Sequence, residues 1–353
     1  MADAKIGRGN FFEDFRLGQE ILHATPRTVS AGDAAVYAAL YGSRFALQSS
    51  DAFARGCGLP LAPLDDLLAF HVVFGKTVPD VSLNAIANLG YANGRFLTPV
   101  YPGDTLTARS NVIGLRETAN RKSGIVYVRT IGANEDGETV LDYVRWVMVR
   151  KRDEKAPAPE PVVPDLPPAV PREALVVPAG LALERYDFTL AGSPDAWEDY
   201  VPGERIDHVD GQTIEEAEHM MATRLYQNTA RVHFNQHAQA GDRFGRRLVY
   251  GGHVMSIARA LSFNGLANAV KVAAINGGRH AAPVFAGDTI YAWSEVLERW
   301  ELPGRPDLGA LRLRTLAAKD RACADFPDRD AAGALDSAIV LELDYTVLMP
   351  RRS

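Results

Sequence analysis

Cysteine is nearly absent from this chain: its 353 residues contain two, Cys57 and Cys323, one in each half. Two thiols cannot build a metal cluster by themselves. A disulfide between them is not excluded, but sparse cysteine fits a reducing compartment, and the cytoplasm is the expected location. Long apolar runs are missing too. Met1 to Asp14 holds no core of signal-peptide length, and the most apolar later stretch, Leu59 to Phe74, is interrupted by Asp65-Asp66, so neither export nor a membrane partner is expected. Nor is charge of one sign concentrated. The formal charge is -6, with 38 Lys and Arg scattered among 44 Asp and Glu, which leaves no basic stripe for nucleic acid. What is plentiful is apolar surface, 47% of residues, enough for a core in each of two or three domains.

The chain repeats itself. Phe12 to Gln48 returns without a gap as Trp197 to His233, 185 positions later. Phe12-Glu13-Asp14-Phe15, Gly18, Ile21, His23 and Tyr41 reappear as Trp197-Glu198-Asp199-Tyr200, Gly203, Ile206, His208 and Tyr226. A second block, Pro99 to Leu106, returns 184 positions later as Pro283 to Ile290, carrying Gly103-Asp104-Thr105 over to Gly287-Asp288-Thr289. The unit is about 150 residues, a whole domain and not a solenoid repeat. One exchange inside the repeat matters: the second copy has His233 where the first has Gln48.

Between Asp153 and Pro178 stand eight prolines, at 157, 159, 161, 164, 167, 168, 171 and 178. Such a segment favours extended polyproline conformations and cannot continue a sheet or helix. The division is residues 1–152, a linker at 153–178, and 179–353. At about 3.1 Å per residue the linker lets the halves pack with their sheets side by side. Within each half, Ser30 to Tyr41 and Thr213 to Tyr226 read as helices, with Ser30 and Thr213 as caps and Glu216 at the capping-box spacing. Alternating runs predict antiparallel strands at 104–115, 124–132 and 139–149, and again at 288–300, 310–318 and 338–348. Asp320 to Asp336 has no counterpart in the first half and reads as a loop insertion. The expected class is α+β, each half a long helix on an antiparallel sheet.

Helix-then-meander halves with a Pro-Val-x-x-Gly-Asp-Thr strand entry resemble the hotdog fold, and specifically the MaoC-like hydratases. In that family a polar residue is followed five positions later by histidine and then by a glycine turn that opens the central helix. Here Asn228 precedes His233 by five, and Gly251-Gly252 in Val-Tyr-Gly-Gly-His-Val-Met falls on the turn; the first half has Gln48 and Asp65-Asp66 instead. The resemblance implies a double hotdog with its active site in the second half and a degenerate first half that helps to shape the acyl pocket. It further implies reversible syn hydration of a branched C5 dicarboxylic enoyl-CoA within C2 or glyoxylate assimilation, with no metal and no redox cofactor. The expected partners are an acyl-CoA substrate and a second copy of the chain, as a homodimer.

Hydration of an α,β-unsaturated thioester needs a base for water, an acid for Cα and donors for the enolate oxygen. His233 is the candidate base, and the Gly251 and Gly252 amides at a helix start are candidate oxyanion donors. Asn228, where the family pattern has an acid, cannot transfer a proton near neutral pH and can only position water. Two routes remain: His233 takes the proton and returns it to the same face, or a carboxylate among Asp210, Glu215, Glu216 and Glu218 is recruited. A dicarboxylic substrate calls for a fork-shaped cation, with Arg231 or Arg44 as candidates. Tyr226, Tyr250 and His253 are candidate pocket residues. Arg95 and Arg279 are equivalent between halves, which points to structure or CoA phosphate contact. His233 and His237 have helical metal-pair spacing without a third ligand. A hotdog thioesterase and a non-catalytic acyl-CoA-binding module are the alternative readings.

Overall fold

The computed structural model describes residues 5–352. The alternating runs form strands, extended by a residue or more at most ends. The first half supplies β1 (Glu20–Thr28), β2 (Ala85–Phe96), β3 (Thr105–Glu117), β4 (Ser123–Ala133) and β5 (Thr139–Arg150). The second supplies β6 (Arg205–Thr213), β7 (Lys271–His280), β8 (Thr289–Leu302), β9 (Arg305–Lys319) and β10 (Ile339–Pro350). All ten pair into one sheet in the order β1-β3-β4-β5-β2-β7-β10-β9-β8-β6. The halves join where β2 meets β7 antiparallel, Tyr91 opposite Gly278 and Arg95 opposite Ala274. This is a double hotdog of class α+β, its two half-sheets side by side.

Four helices of two turns or more matter for the site: α1 (Ala31–Tyr41), α2 (Asp66–Thr77), α3 (Glu216–Leu225) and α4 (Gly251–Leu261). Ser30 caps α1 through a reciprocal pair, its Oγ accepting from the Asp33 amide at 3.2 Å while the Asp33 carboxylate accepts from the Ser30 amide at 2.8 Å. The equivalent expectation for Thr213 is corrected. Thr213 is the last residue of β6, its hydroxyl 2.8 Å from that of Thr289, and α3 starts after Glu215 without a side-chain cap. Pairing with β8 and burial of Ile214 in the core outweigh the local capping signal.

In α2 every residue from Leu67 to Thr77 is buried. A helix apolar on all sides is surrounded, here by the sheet and by the other half. Helix α4 is buried from Gly252 to Arg259, and the two central helices run antiparallel, so that the C-terminal part of α2 lies against the start of α4. Gly75 of α2 makes this approach feasible, since a Cβ there would stand 1.8 Å from the Tyr226 carbonyl oxygen. The hydroxyls of Tyr41 and Tyr226, equivalent residues of the repeat, lie 2.7 Å apart. Equivalent residues that touch each other mark the pseudo-twofold axis.

The repeated polar residues turn out to be structural. His23 bonds Asp80 and Ser110, and His208 bonds the Asn264 carbonyl and Ser294 in the same arrangement. Asp104 and Asp288 accept from the amides of Tyr101 and Phe285 in matching turns. Arg95 and Arg279 pair with Asp142 and Glu342 on neighbouring strands. The proline-rich segment runs back over the sheet, Val162 exchanging both backbone bonds with Leu115 and the Val170 amide donating to Asn276. Loop 320–336 is pinned by Phe326 against Trp293 and by Arg314 on Asp328. Cys57 and Cys323 are separate buried free thiols. No helix among the described residues is long and apolar enough to cross a membrane.

Candidate active site

His233 lies in the single turn Arg231–Phe234, and the loop before it is shaped locally. Gln227 adopts the left-handed region at φ 55, and Asn228 Oδ1 accepts from the Ala230 amide at 3.2 Å, an Asx turn. His233 Nδ1 is 2.9 Å from the Leu248 carbonyl oxygen. A carbonyl can only accept, so Nδ1 carries the proton and Nε2 presents its lone pair. Burial, partly offset by the Leu248 carbonyl, lowers the pKa to about 4, leaving the ring neutral at physiological pH. The segment that supplies Leu248 leads directly into α4 and is fixed by bonds from the Leu248 amide to Val232 and from Val249 to Val284. One stretch of backbone therefore orients His233 and starts the helix.

Tyr250 precedes α4, its ring centroid 5.6 Å from that of His233. The amides of Gly251 and Gly252 have no acceptor within the helix and stand at its positive end. Neither position has room for a side chain. A Cβ on Gly251 would meet His280 Cε1 at 2.4 Å; one on Gly252 would meet the Tyr250 ring at 2.4 Å and His71 Cε1 at 2.5 Å. The bare backbone is thus set among three rings.

Behind it a polar seam crosses between the halves. The Tyr37 hydroxyl donates to Ser256 Oγ at 2.9 Å, and Ser256 Oγ is 3.0 Å from His71 Nε2, whose Nδ1 faces the Tyr250 hydroxyl at 3.3 Å. The Tyr41 hydroxyl lies 2.8 Å from His253 Nδ1. Tyr226, Tyr250 and His253 are thereby brought together, all buried. Burial lowers the pKa of His71 and His253 to about 3 and raises those of Tyr226 and Tyr250 well above their ordinary value, so the seam is uncharged at neutral pH.

The same burial sets a pH dependence. His71, His208, His233, His253 and His280 are lowered to about 3 to 4, whereas the unfolded chain takes up protons near the ordinary histidine value of about 6.5. Between those values the unfolded state binds more protons, so stability rises with pH there. It is expected to be complete above about pH 6.5 and to fall steadily as pH drops toward about 4. Urea midpoints that stay level from pH 7.5 to 5 would contradict this.

Of the proposed arginines, Arg231 shares the turn of His233 and Arg44 lies elsewhere. Arg231 is exposed and makes no ion pair among the described residues. Arg44 is exposed and stacks on Phe263, 4.5 Å from its centroid. Phe263 follows the far end of α4, about 16 Å from Gly251 at 1.5 Å per residue, so Arg44 is corrected out of the pocket. That far end also holds the degenerate counterpart. Gln48 donates to the Val270 carbonyl, Asp66 takes Lys271 and the Val272 amide, and Arg259 lies over the Phe45 ring. Asp65-Asp66 therefore stands at the far end of α4 and does not border Gly251; the first half reaches the start of α4 through His71 and Phe74 of α2. Of the carboxylates, Glu216 is tied to His219 and Arg247, and Asp210 and Glu215 are exposed. His233 and His237 fall in separate turns broken at Asn235, which removes the helical pair geometry.

The family model for mesaconyl-CoA hydratase matches residues 2–327 of the chain. This protein belongs to the mesaconyl-CoA hydratase family. A protein named beta-methylmalyl-CoA dehydratase from Chloroflexus aurantiacus is 66% identical over 349 residues, 99% of each chain. One named mesaconyl-CoA hydratase from Cereibacter sphaeroides is 60% identical over 347 residues, 98% of this chain and all of its own. The crystal structure of a MaoC domain protein from Chloroflexus aurantiacus, 66% identical, superposes with a TM-score of 0.97 over 99% of this chain and 100% of its own. A Mycobacterium tuberculosis protein described as a double hotdog is 25% identical, with a TM-score of 0.77 over 97% and 99%.

In this member of the mesaconyl-CoA hydratase family, sequence reasoning missed His280. Its ring at the end of β7 abuts Gly251, its Nε2 is 3.1 Å from the Tyr91 hydroxyl, and burial together with His233 lowers its pKa to about 4. A signal existed: Gly277-Gly278-Arg279-His280 repeats Asn93-Gly94-Arg95-Phe96, again with histidine in the second copy only. Replacing His280 with the first-half residue, His280→Phe, is expected to cut kcat by about 10-fold or more, on the scale of a lost positioned polar group, with the protein still folded. Unchanged kcat would make His280 a packing residue.

Proposed function

We propose that this chain is a hydro-lyase that interconverts mesaconyl-CoA and β-methylmalyl-CoA by reversible syn addition of water. The observation that carries the reading is the neutral His233, its Nδ1 proton held by Leu248 and its Nε2 lone pair free of protein donors among the described residues, next to the glycine start of α4. Nε2 accepts a water proton as the oxygen bonds to Cβ, and the C=C pair moves toward the thioester. Enolate charge on the thioester oxygen is met by the Gly251 and Gly252 amides. His233 then returns the proton to Cα from the same face, which makes the addition syn. Asn228, buried and held by its turn, positions water and transfers no proton. The carboxylate route has less support, because Glu216 is already engaged and two of the other three candidates face solvent. The names of the two full-length relatives give the substrate pair.

The test follows the enoyl-thioester absorbance of mesaconyl-CoA alongside free thiol. Reversible absorbance loss without thiol supports hydration, while thiol release identifies a thioesterase. Silence in both channels points to a binding module. Hydration run in deuterium oxide should place deuterium and hydroxyl on the same face; opposite faces would sink the single-histidine route.

A further inference from the structure

Arg145, in the middle of β5, is fully buried. Its guanidinium lies over the Phe74 ring, 4.2 Å from the centroid, and Nη2 donates to Thr77 Oγ1 at 2.7 Å and Ser82 Oγ at 3.3 Å. Nε and Nη1 have no partner, nor does the buried hydroxyl of Tyr143, two residues earlier on the same face. No carboxylate pairs with Arg145 among the described residues. A buried cation without a counter-ion is strongly disfavoured, and three orphaned donors in one place ask for an anion. Tyr143, Tyr91 and Tyr250 lie around this guanidinium, and burial raises the pKa of each, so they stay neutral and supply no counter-charge.

Those tyrosines connect Arg145 to the site. Phe74, which carries the guanidinium on its ring, lies 5.4 Å from the Tyr250 ring. Tyr250 stands directly before Gly251, and the Tyr91 hydroxyl reaches His280. Arg145 also belongs to the set of residues that differ between the copies. Tyr91 faces Arg145 across the first half-sheet, as Ile275 faces Tyr345 across the second. In the second half Tyr345 stands at the position of Arg145 and a buried arginine, Arg259, at that of Phe74, but Arg259 donates to Ser262 and to the Ala269 carbonyl, so the unmet fork belongs to Arg145, on the side of α2 that meets Tyr250.

We propose that Arg145, with the Tyr143 hydroxyl, receives the free carboxylate of the dicarboxylic acyl thioester. The inference rests on the substrate class proposed above. The carboxylate accepts from Nε and Nη1 as a bidentate pair, whereas an acyl group ending in methyl leaves those donors as unmet as they are in the free protein and gains no affinity from them.

Three probes test it: mesaconyl-CoA as substrate, tiglyl-CoA (the same acyl group with methyl for carboxylate) as competing ligand, and free mesaconate in thermal unfolding. Arg145→Met is expected to raise KM for mesaconyl-CoA on the order of 100-fold, to leave the inhibition constant of tiglyl-CoA within about threefold, and to abolish a mesaconate-induced rise in Tm seen in the wild type. Unchanged KM, or equal weakening of both thioesters, overturns the proposal. Should Arg145→Met fail to fold, Arg145→Lys keeps the charge without the fork, and the same selective loss is expected at smaller size. Wild type inert toward mesaconyl-CoA would defeat the proposed function, whereas a mesaconate shift that survives in the variant would defeat the role of Arg145.

Discussion

His233→Ala is expected to lower kcat for mesaconyl-CoA by about 10²–10⁴-fold, the range carried by a positioned general base. His233→Gln is the sharper test, because Gln48 stands at the equivalent position and donates to a backbone carbonyl, much as His233 does to Leu248. Glutamine can keep the local hydrogen bond while removing the group that takes the proton. Both variants should therefore retain the fold, and glutamine should be as inactive as alanine. If His233→Gln kept a tenth of the activity, the proton would travel by another route, and Glu218, partly buried and the least committed of the candidate carboxylates, would become the next group to replace.

Gly75→Ala is expected to destabilise the protein by about 1–3 kcal/mol, the usual cost of overpacking a filled core, and to lower kcat as well. The added methyl would stand 1.8 Å from the Tyr226 carbonyl and 3.4 Å from the Asn228 amide nitrogen. Helix α2 is enclosed on every side and cannot retreat, so the displaced part is the Tyr226–Asn228 turn that leads to His233. Gly56→Ala meets nothing within 4 Å and serves as the control. A Tm and kcat equal to wild type for Gly75→Ala would mean that the helix and the turn have slack between them.

The repeat made much of this molecule legible, and its asymmetries were more informative than its identities. His23 and His208 occur in both copies and hold both folds together; His233 occurs in one and lies beside Tyr250 at the glycine start of α4. Applied to Asn93-Gly94-Arg95-Phe96, the same comparison would have found His280. Six strands were readable because each alternates side chains between two faces. Strands β2 and β7 were not, since Ala85–Phe96 and Lys271–His280 are rich in Ala, Asn and Gly. Those small residues are selected by position: Gly94 lies against Ile275 where the half-sheets meet, and Gly90 admits the Trp146 ring. Close approach in the centre of the sheet overrides strand propensity.

Arg44 and Arg231 looked suitable because sequence reveals charge and spacing but not depth, and both are exposed. Arg145 carries no local mark of its difference; only the packing of α2 over β5 buries it and leaves its donors unmatched. By itself the sequence determined the duplication, the α+β class and the family pattern, because these rest on residue types at fixed separations along the chain. Tertiary structure alone decided that Arg145 is enclosed over Phe74 with unmet donors, and that His280 and His71 stand against Gly251 and Gly252 with Tyr91 behind His280. Those relations join residues some 30 to 190 positions apart, and they exist only once two antiparallel helices and a shared sheet have brought the halves face to face.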